Sequence, residues 1–234
     1  MSLIRKVQSI IEKPTAVGSA VECACCGRKS RRFLPAGVEN KRPFARCAWC
    51  SSLERHRLVA LMLKKNPLLA NSRILVIAPE IPLLRIFKDV TGGKVTTADL
   101  FMAGVDVQAD ICALPFADGE FDVVVANHVL EHIPDDRLAM KELRRVTKAG
   151  GRAILQTPLC WENEVTDEDA QANEAERVRR FGQADHVRLY GRDFVTRLQA
   201  AGWIVTAKEV SAMFTAEEMA RYGLESDEVW CEIS

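Results

Sequence analysis

The stretch Ser72–Pro82, SRILVIAPEIP, decides how the rest of the chain is read. An apolar run rich in β-branched residues stops abruptly at Ala78-Pro79-Glu80, the pattern of a buried strand closed by a turn. A nucleotide-binding α/β protein puts its glycine-rich turn at such a place. Here no glycine occurs between Gly37 and Gly92. Either the run is an ordinary buried strand, or a ligand is held at its end by something other than glycines.

From this strand onward, short apolar runs alternate with helical patterns, as in parallel-sheet proteins. The runs predict strands at 73–78, 94–98, 121–126 and 152–157, and helices near 81–89, 135–148 and 191–201. The stretches AGWIVTAKEV (201–210) and DEVWCEIS (227–234) read as two closing strands. Gly150-Gly151 reads as the turn between a helix and the strand that follows it. Asp99 ends the second run, 19 residues beyond Glu80. In doubly wound nucleotide-binding folds, an acid about 20 residues on accepts hydrogen bonds from ribose hydroxyls. An Asp after a strand also commonly caps the next helix, so the ordered set matters more than any one acid.

The 234 residues suffice for one α/β domain with a small appendage. Charge is balanced, 32 Lys+Arg against 32 Asp+Glu, which gives no global pull toward nucleic acid or membrane. MSLIRKVQSIIEKP has apolar residues at helical spacing, broken by Arg5, Lys6 and Glu12, so it lacks a signal-peptide core; a helix is expected over 1–20. No run approaches transmembrane length, and a cytoplasmic protein without a membrane partner is expected.

Five of the eight cysteines lie between 23 and 50. CACCG (23–27) and CAWC (47–50) give Cys23-x2-Cys26, twenty intervening residues, then Cys47-x2-Cys50. Two such pairs point four thiolates at one tetrahedral zinc ion, with no position left open for substrate water. A small zinc ribbon with a structural ion is expected over 21–52, on Cys23, Cys26, Cys47 and Cys50; Cys25 is a spare that could replace Cys26. Four unrelated buried thiols, or one redox pair, are the duller readings. The spacing Ser51 to Glu54 reads as a capping box opening a connecting helix over 53–70. Nine basic residues (28, 29, 31, 32, 41, 42, 46, 55, 57) against acids at 39 and 54 could meet a phosphate backbone, or form a solvated face.

From about 73 to 210 the chain resembles a class I S-adenosylmethionine-dependent methyltransferase, on ADICALPFADGEFDVVVANHVLEHIPDD above all. RCAWCSSLERHR, VIAPE, TTADL and FGQADHVRLYGRDF extend the resemblance to a bacterial group with an N-terminal zinc ribbon. It implies a doubly wound, mostly parallel seven-stranded sheet (the Rossmann-like methyltransferase fold) over 71–234, with an insertion at 159–190. It also implies that Asp99 binds the ribose diol, Leu100 packs beside the adenine, Asp110 accepts from the adenine amino group and the Ile111 N–H meets a ring nitrogen. Asn127 and His128 would line the methionine side. The chain departs from the superfamily at the first motif, which usually carries an acid and spaced glycines. There Ala78, Pro79 and Glu80 would serve instead, Glu80 taking the ammonium and the following helix N-terminus the carboxylate; a first-turn acid favoured by the helix dipole is the plainer role of Glu80.

The insertion 159–190 leaves the sheet at the edge where ligands bind in such folds. It carries carboxylates at 162, 164, 167, 168, 169, 174 and 176, with no Lys or Arg between 159 and 176. A polyanion would be repelled there. The first reading is therefore methyl transfer to a small molecule, a sugar or secondary metabolite, with an RNA or protein methyltransferase second and a non-catalytic binding module third. Oligomeric state has no signal in the sequence. His132, His186 and Tyr190 are the candidate catalytic residues, facing an acceptor pocket; structural hydrogen bonds would equally explain them.

Overall fold

The computed structural model describes residues 16–37, 42–65 and 71–234. The helix expected over 1–20 lies outside them up to position 15, as does the end of the expected connecting helix, 66–70. The chain forms two compact units, whose described residues are 16–65 with 210–228, and 71–209 with 229–234.

In the first unit, β1 (Val21–Glu22) pairs antiparallel with β2 (Lys29–Ser30), and β3 (Leu34–Ala36) with β4 (Arg42–Arg46). Helix α1 spans Glu54–Lys65. The expected capping box is replaced: the Leu53 N–H donates to His56 Nδ1 at 2.9 Å, while Ser51 has φ 61° and Glu54 pairs with Arg42 at 3.2 Å. Arg57 is fully buried and holds the unit together. Its guanidinium donates to the carbonyls of Ala45 (2.7 Å), Ser52 (3.3 Å), Tyr222 (2.6 Å) and Gly223 (2.8 Å), and lies 3.7 Å over the Phe33 ring. The last two carbonyls end a helix at Ala216–Tyr222, which opens with a Thr215–Glu218 capping box. Gly223 has φ 59°, and a Cβ there would stand 2.5 Å from Phe33. Residues 210–228, read from sequence as part of one domain over 71–234, pack instead with residues 16–65, and two of Arg57's four carbonyl acceptors, Tyr222 and Gly223, lie in this segment.

The second unit carries a seven-stranded sheet. Its elements are β5 (Ile74–Ile77), α2 (Ile81–Thr91), β6 (Val95–Asp99), β7 (Val107–Gln108), β8 (Phe121–Ala126), α3 (Asp136–Val146) and β9 (Thr147–Ile154). They continue with β10 (Asp167–Glu168), α4 (Glu174–Phe181), β11 (Arg188–Leu189), α5 (Asp193–Ala200), β12 (Val205–Glu209) and β13 (Val229–Ile233). The order is β12-β13-β9-β8-β5-β6-β7, with β13 antiparallel to both neighbours and the other pairings parallel. All four residues of β5 are buried, as expected for a strand flanked on both edges and covered on both faces. Leu75 and Ile77 join the core with Val124, Ala126 and the buried stripe Ala139, Met140, Leu143 and Val146 of α3.

Two expectations are corrected here. The strand expected at 152–157 begins at Thr147, and Gly150-Gly151 lies inside it rather than in a turn. Thr147 is already extended and pairs with Phe121, while Arg152 pairs with Val123, so β9 bulges between them and Gly150 supplies the required φ of 73°. The insertion is ordered by its own elements: β10 pairs antiparallel with β11, and α4 is capped by Asn173.

Candidate functional site

The parallel register sets three strand ends side by side. Ile77 pairs with Ala98 on one edge and Ala126 on the other, so Ala78, Asp99 and Asn127 follow in a row at the carboxyl ends of β5, β6 and β8. The sheet winds outward from β5 in both directions here, the place where open α/β sheets bind ligands.

Ala78 answers the question of the missing glycine. Its φ is 47°, left-handed backbone that glycine adopts without strain, and its N–H donates to Ala98 O at 2.9 Å. The turn has kept the glycine conformation without the glycine. Glu80 is the N-cap residue of α2, with Pro82 in the helix's first turn. Asp99 Oδ1 accepts from the N–H groups of Phe101 (2.7 Å) and Met102 (2.6 Å), which fixes the carboxylate and leaves Oδ2 for a ligand. Leu100 is half exposed beside it. Ala109 N–H donates to Asp99 O, bringing Asp110 alongside; Asp110 Oδ1 accepts from Cys112 N–H at 2.8 Å, and Ile111 is buried.

Asn127 is 6% exposed, and its Oδ1 has no hydrogen-bond partner among the described residues. A buried amide oxygen left unpaired is destabilising unless a ligand supplies a donor. His128 has φ 52°, and its Nδ1 lies 3.2 Å from Glu131 Oε1. An acid on β6, a second acid beside it and an orphan acceptor on β8 suit a ligand with a ribose diol, an amino-bearing ring and an ammonium. These residues fit S-adenosylmethionine.

Sequence reading passed over Glu131 as a site residue. It is wholly buried, and its Oε2 accepts from Thr157 Oγ1 at 3.0 Å. Burial alone would raise its pKa, yet the adjacent His128 ring holds it below the ordinary value. His132 and His186 come together, ring centroids 4.7 Å apart and nearly perpendicular. Burial pushes the His186 ring below the ordinary histidine pKa. Tyr190 stands apart from them: it is fully buried, and its hydroxyl donates to Asp136 Oδ2 at 2.8 Å. Arg197 Nη1 meets the same carboxylate oxygen at 3.1 Å, which makes Tyr190 part of an interior network.

The acidic run of the insertion is largely neutralised. Arg180 pairs with Asp167 at 2.5 Å and Asp169 at 3.1 Å, and lies 3.5 Å from Glu176. Glu168 pairs with Arg188 at 3.1 Å and Arg197 at 2.9 Å. Repulsion of a polyanion by this run therefore loses much of its basis. The basic excess of the ribbon shrinks only slightly, since Arg57 alone is interior and Glu54, paired with Arg42, belongs to the same segment.

In the first unit, Cys23, Cys26, Cys47 and Cys50 bring their sulfurs within 4.8 Å of one another, without Cys25. Tetrahedral zinc at a Zn–S distance of about 2.3 Å needs sulfurs about 3.8 Å apart. Cys23–Cys50 and Cys26–Cys47 are separated by 3.6 and 3.9 Å. Trp49 N–H approaches Cys47 Sγ at 3.4 Å, and Ser52 Oγ lies 3.1 Å from Cys23 Sγ and 3.2 Å from Cys50 Sγ, the polar support a thiolate cluster needs. The donor set fits zinc.

Known proteins agree with this architecture. A family model described as a methyltransferase domain matches residues 83–155. Over 48 residues the chain is 50% identical to demethylmenaquinone methyltransferase of Staphylococcus carnosus (strain TM300), covering 20% of this chain and 20% of that protein. The chain spans about a fifth of the length of the curated relatives it matches. An S-adenosylmethionine-dependent methyltransferase from Mesorhizobium loti superposes with TM-score 0.50 at 15% identity, covering 74% of this chain and 94% of that one. Phosphoethanolamine N-methyltransferase 2 of Haemonchus contortus, in complex with S-adenosyl-L-methionine, gives 0.52 at 16% identity, covering 80% and 53%. At these identities the likeness is one of fold. Among the described residues no helix is long and apolar enough to cross a membrane. Residues 71–209 with 229–234 have the Rossmann-like methyltransferase fold, and the stretch that the methyltransferase-domain family model matches runs through their centre.

Proposed function

We propose that the protein transfers a methyl group from S-adenosylmethionine to a small-molecule acceptor, and that its cysteine ribbon holds one structural zinc ion. The observation that carries the reading is the row Ala78, Asp99 and Asn127, with the buried Asn127 Oδ1 awaiting a donor. The bound cofactor would supply an electrophilic methyl on a sulfonium. Asp99 Oδ2 would take the ribose hydroxyls and Asp110 the adenine amino group, with Leu100 and the Ile111 N–H beside the ring. Asn127 and His128 would face the methionyl end, and Glu80 its ammonium. Chemistry would rest on holding acceptor and methyl in line, the contribution a positioning site makes best. His132, past Asn127 beyond the end of β8, and His186, which meets it from the insertion, would border the acceptor. Tyr190, tied to Asp136, would fix the path of the insertion.

A small acceptor is the first reading and RNA the second; of the nine cations of the basic segment, Arg57 is consumed inside its own unit. A reducing, cytoplasmic setting is part of this reading, because four thiolates on zinc must stay reduced. Calorimetry with S-adenosylmethionine tests the reading. Asp99→Ala should weaken binding about ten- to a hundredfold, the worth of charge-assisted bonds of roughly 1.5–3 kcal/mol. No binding to the unaltered protein would transfer the fold to a non-catalytic role. RNA binding that weakens steeply with salt would favour the macromolecular acceptor.

A further inference from the structure

Neither the ribbon nor the cofactor row uses the cluster at the end of the short 3-10 turn Leu130–His132. Glu131, His132 and His186 each offer one ligand atom there, all within 4.8 Å of one another. His186 is 2% exposed, and its Nε2 has no partner among the described residues. Its Nδ1 lies 3.0 Å from Phe181 O. His132 Nδ1 lies 3.2 Å from Asp185 O. A carbonyl oxygen can only accept, so in each neutral ring the proton sits on Nδ1 and Nε2 keeps its lone pair. Two imidazole lone pairs and a buried carboxylate brought this close repel one another unless a cation joins them.

We infer that Glu131, His132 and His186 form a second metal site, for a divalent transition-metal ion of the zinc type. Two imidazoles and one carboxylate are a donor set that binds zinc while leaving a fourth position open. Imidazole nitrogen selects zinc, cobalt or iron over magnesium and calcium, which favour all-oxygen sites. The supporting contacts are those metal-binding histidines make: each ring donates its other N–H to a backbone carbonyl. Glu131 is oriented likewise, by Thr157 Oγ1 on one oxygen and His128 Nδ1 beside the other. Bonds of about 2.1 Å need ligand atoms about 3.0–3.5 Å apart, so the three groups draw together on binding. His132 can make that movement and gives the ion its entry, because its side chain is 32% exposed. The open position would stand at the carboxyl end of β8, four residues beyond Asn127. The inference holds whether or not the protein transfers methyl groups.

Cobalt(II) is the probe, added to the full chain with the ribbon already filled with zinc. One further equivalent should bind, giving d–d absorption without the sulfur-to-cobalt charge-transfer band that thiolate ligands produce. His132→Ala and Glu131→Gln should each weaken this binding more than about a hundredfold, beyond the loss seen when a merely supporting residue is removed. Their melting temperatures and ribbon zinc report folding; His132→Ala, at the exposed edge, decides if Glu131→Gln does not fold. No second equivalent, a thiolate band, or affinity untouched by the substitutions would each overturn the site.

Discussion

Ala78→Gly tests the reading of the turn that opens the cofactor row. Ala78 sits at φ 47°, where an L-residue brings its Cβ against the following carbonyl oxygen. That conformation raises the folded state by about 1–2 kcal/mol relative to glycine. Glycine in turn loses more backbone freedom on folding, which opposes the gain by about 0.5–1 kcal/mol. The difference is a net stabilisation of about 0–1.5 kcal/mol, with no contact added. Ala78→Val should go the other way by at least about 1 kcal/mol, because a β-branched side chain is a genuine outlier at positive φ. Urea unfolding of the two variants and the parent, with the slope checked for constancy, measures both numbers. A destabilised glycine variant, or a valine variant as stable as the parent, would refute the left-handed turn.

Other perturbations give separate checks. Arg57→Met leaves the buried carbonyls of Ala45, Tyr222 and Gly223 without their donor and should destabilise the first unit by about 2–5 kcal/mol, read by denaturant unfolding. Cys47→Ser should release the ribbon's zinc, measured by metal analysis, while the circular-dichroism signal of the sheet is largely retained. Arg197 and then Arg188 hold the Glu168 carboxyl down to about 2, from an ordinary 4.5. The stabilisation it brings is complete above the unfolded value and lost as pH falls from 4.5 through about 2. Glu168→Gln should therefore lower the melting temperature at neutral pH, and the gap to the parent should close toward pH 2.

The central sheet was legible because β5 and β8 are short β-branched runs flanked by helical periodicity, a pattern with few other solutions. The place of Asp99 at the end of β6 was legible for the same reason, since a strand's apolar run fixes where it ends. What was hidden depends on long-range partners. Nothing local marks Arg57 as interior rather than part of a basic face: its acceptors at Tyr222 and Gly223 lie 165 and 166 residues away. The run of acids at 167–169 looked free because its partners, Arg180, Arg188 and Arg197, follow in separate elements. Glycines misled at Gly150-Gly151, where a β-bulge and a turn ask for the same backbone freedom. Glu131 had a readable signal in LEH, an acid beside a histidine just past a strand end; its burial and its meeting with His186 did not.

Arg57 also bears on the order in which the chain folds during synthesis. Its last two acceptors, Tyr222 and Gly223, are made 165 and 166 residues after it, so the ribbon must wait for them before its interior cation is satisfied. Closing a loop of 165 residues by chance opposes that contact by about 4–5 kcal/mol. Prior collapse of residues 71–209 replaces most of that loop with a compact body and removes much of the penalty. Zinc on the four cysteines, by contrast, would need only residues 23–50 and could bind early. The metal would then shelter a half-built unit from aggregation until its C-terminal segment arrives, so zinc starvation should damage newly made chains far more than finished ones.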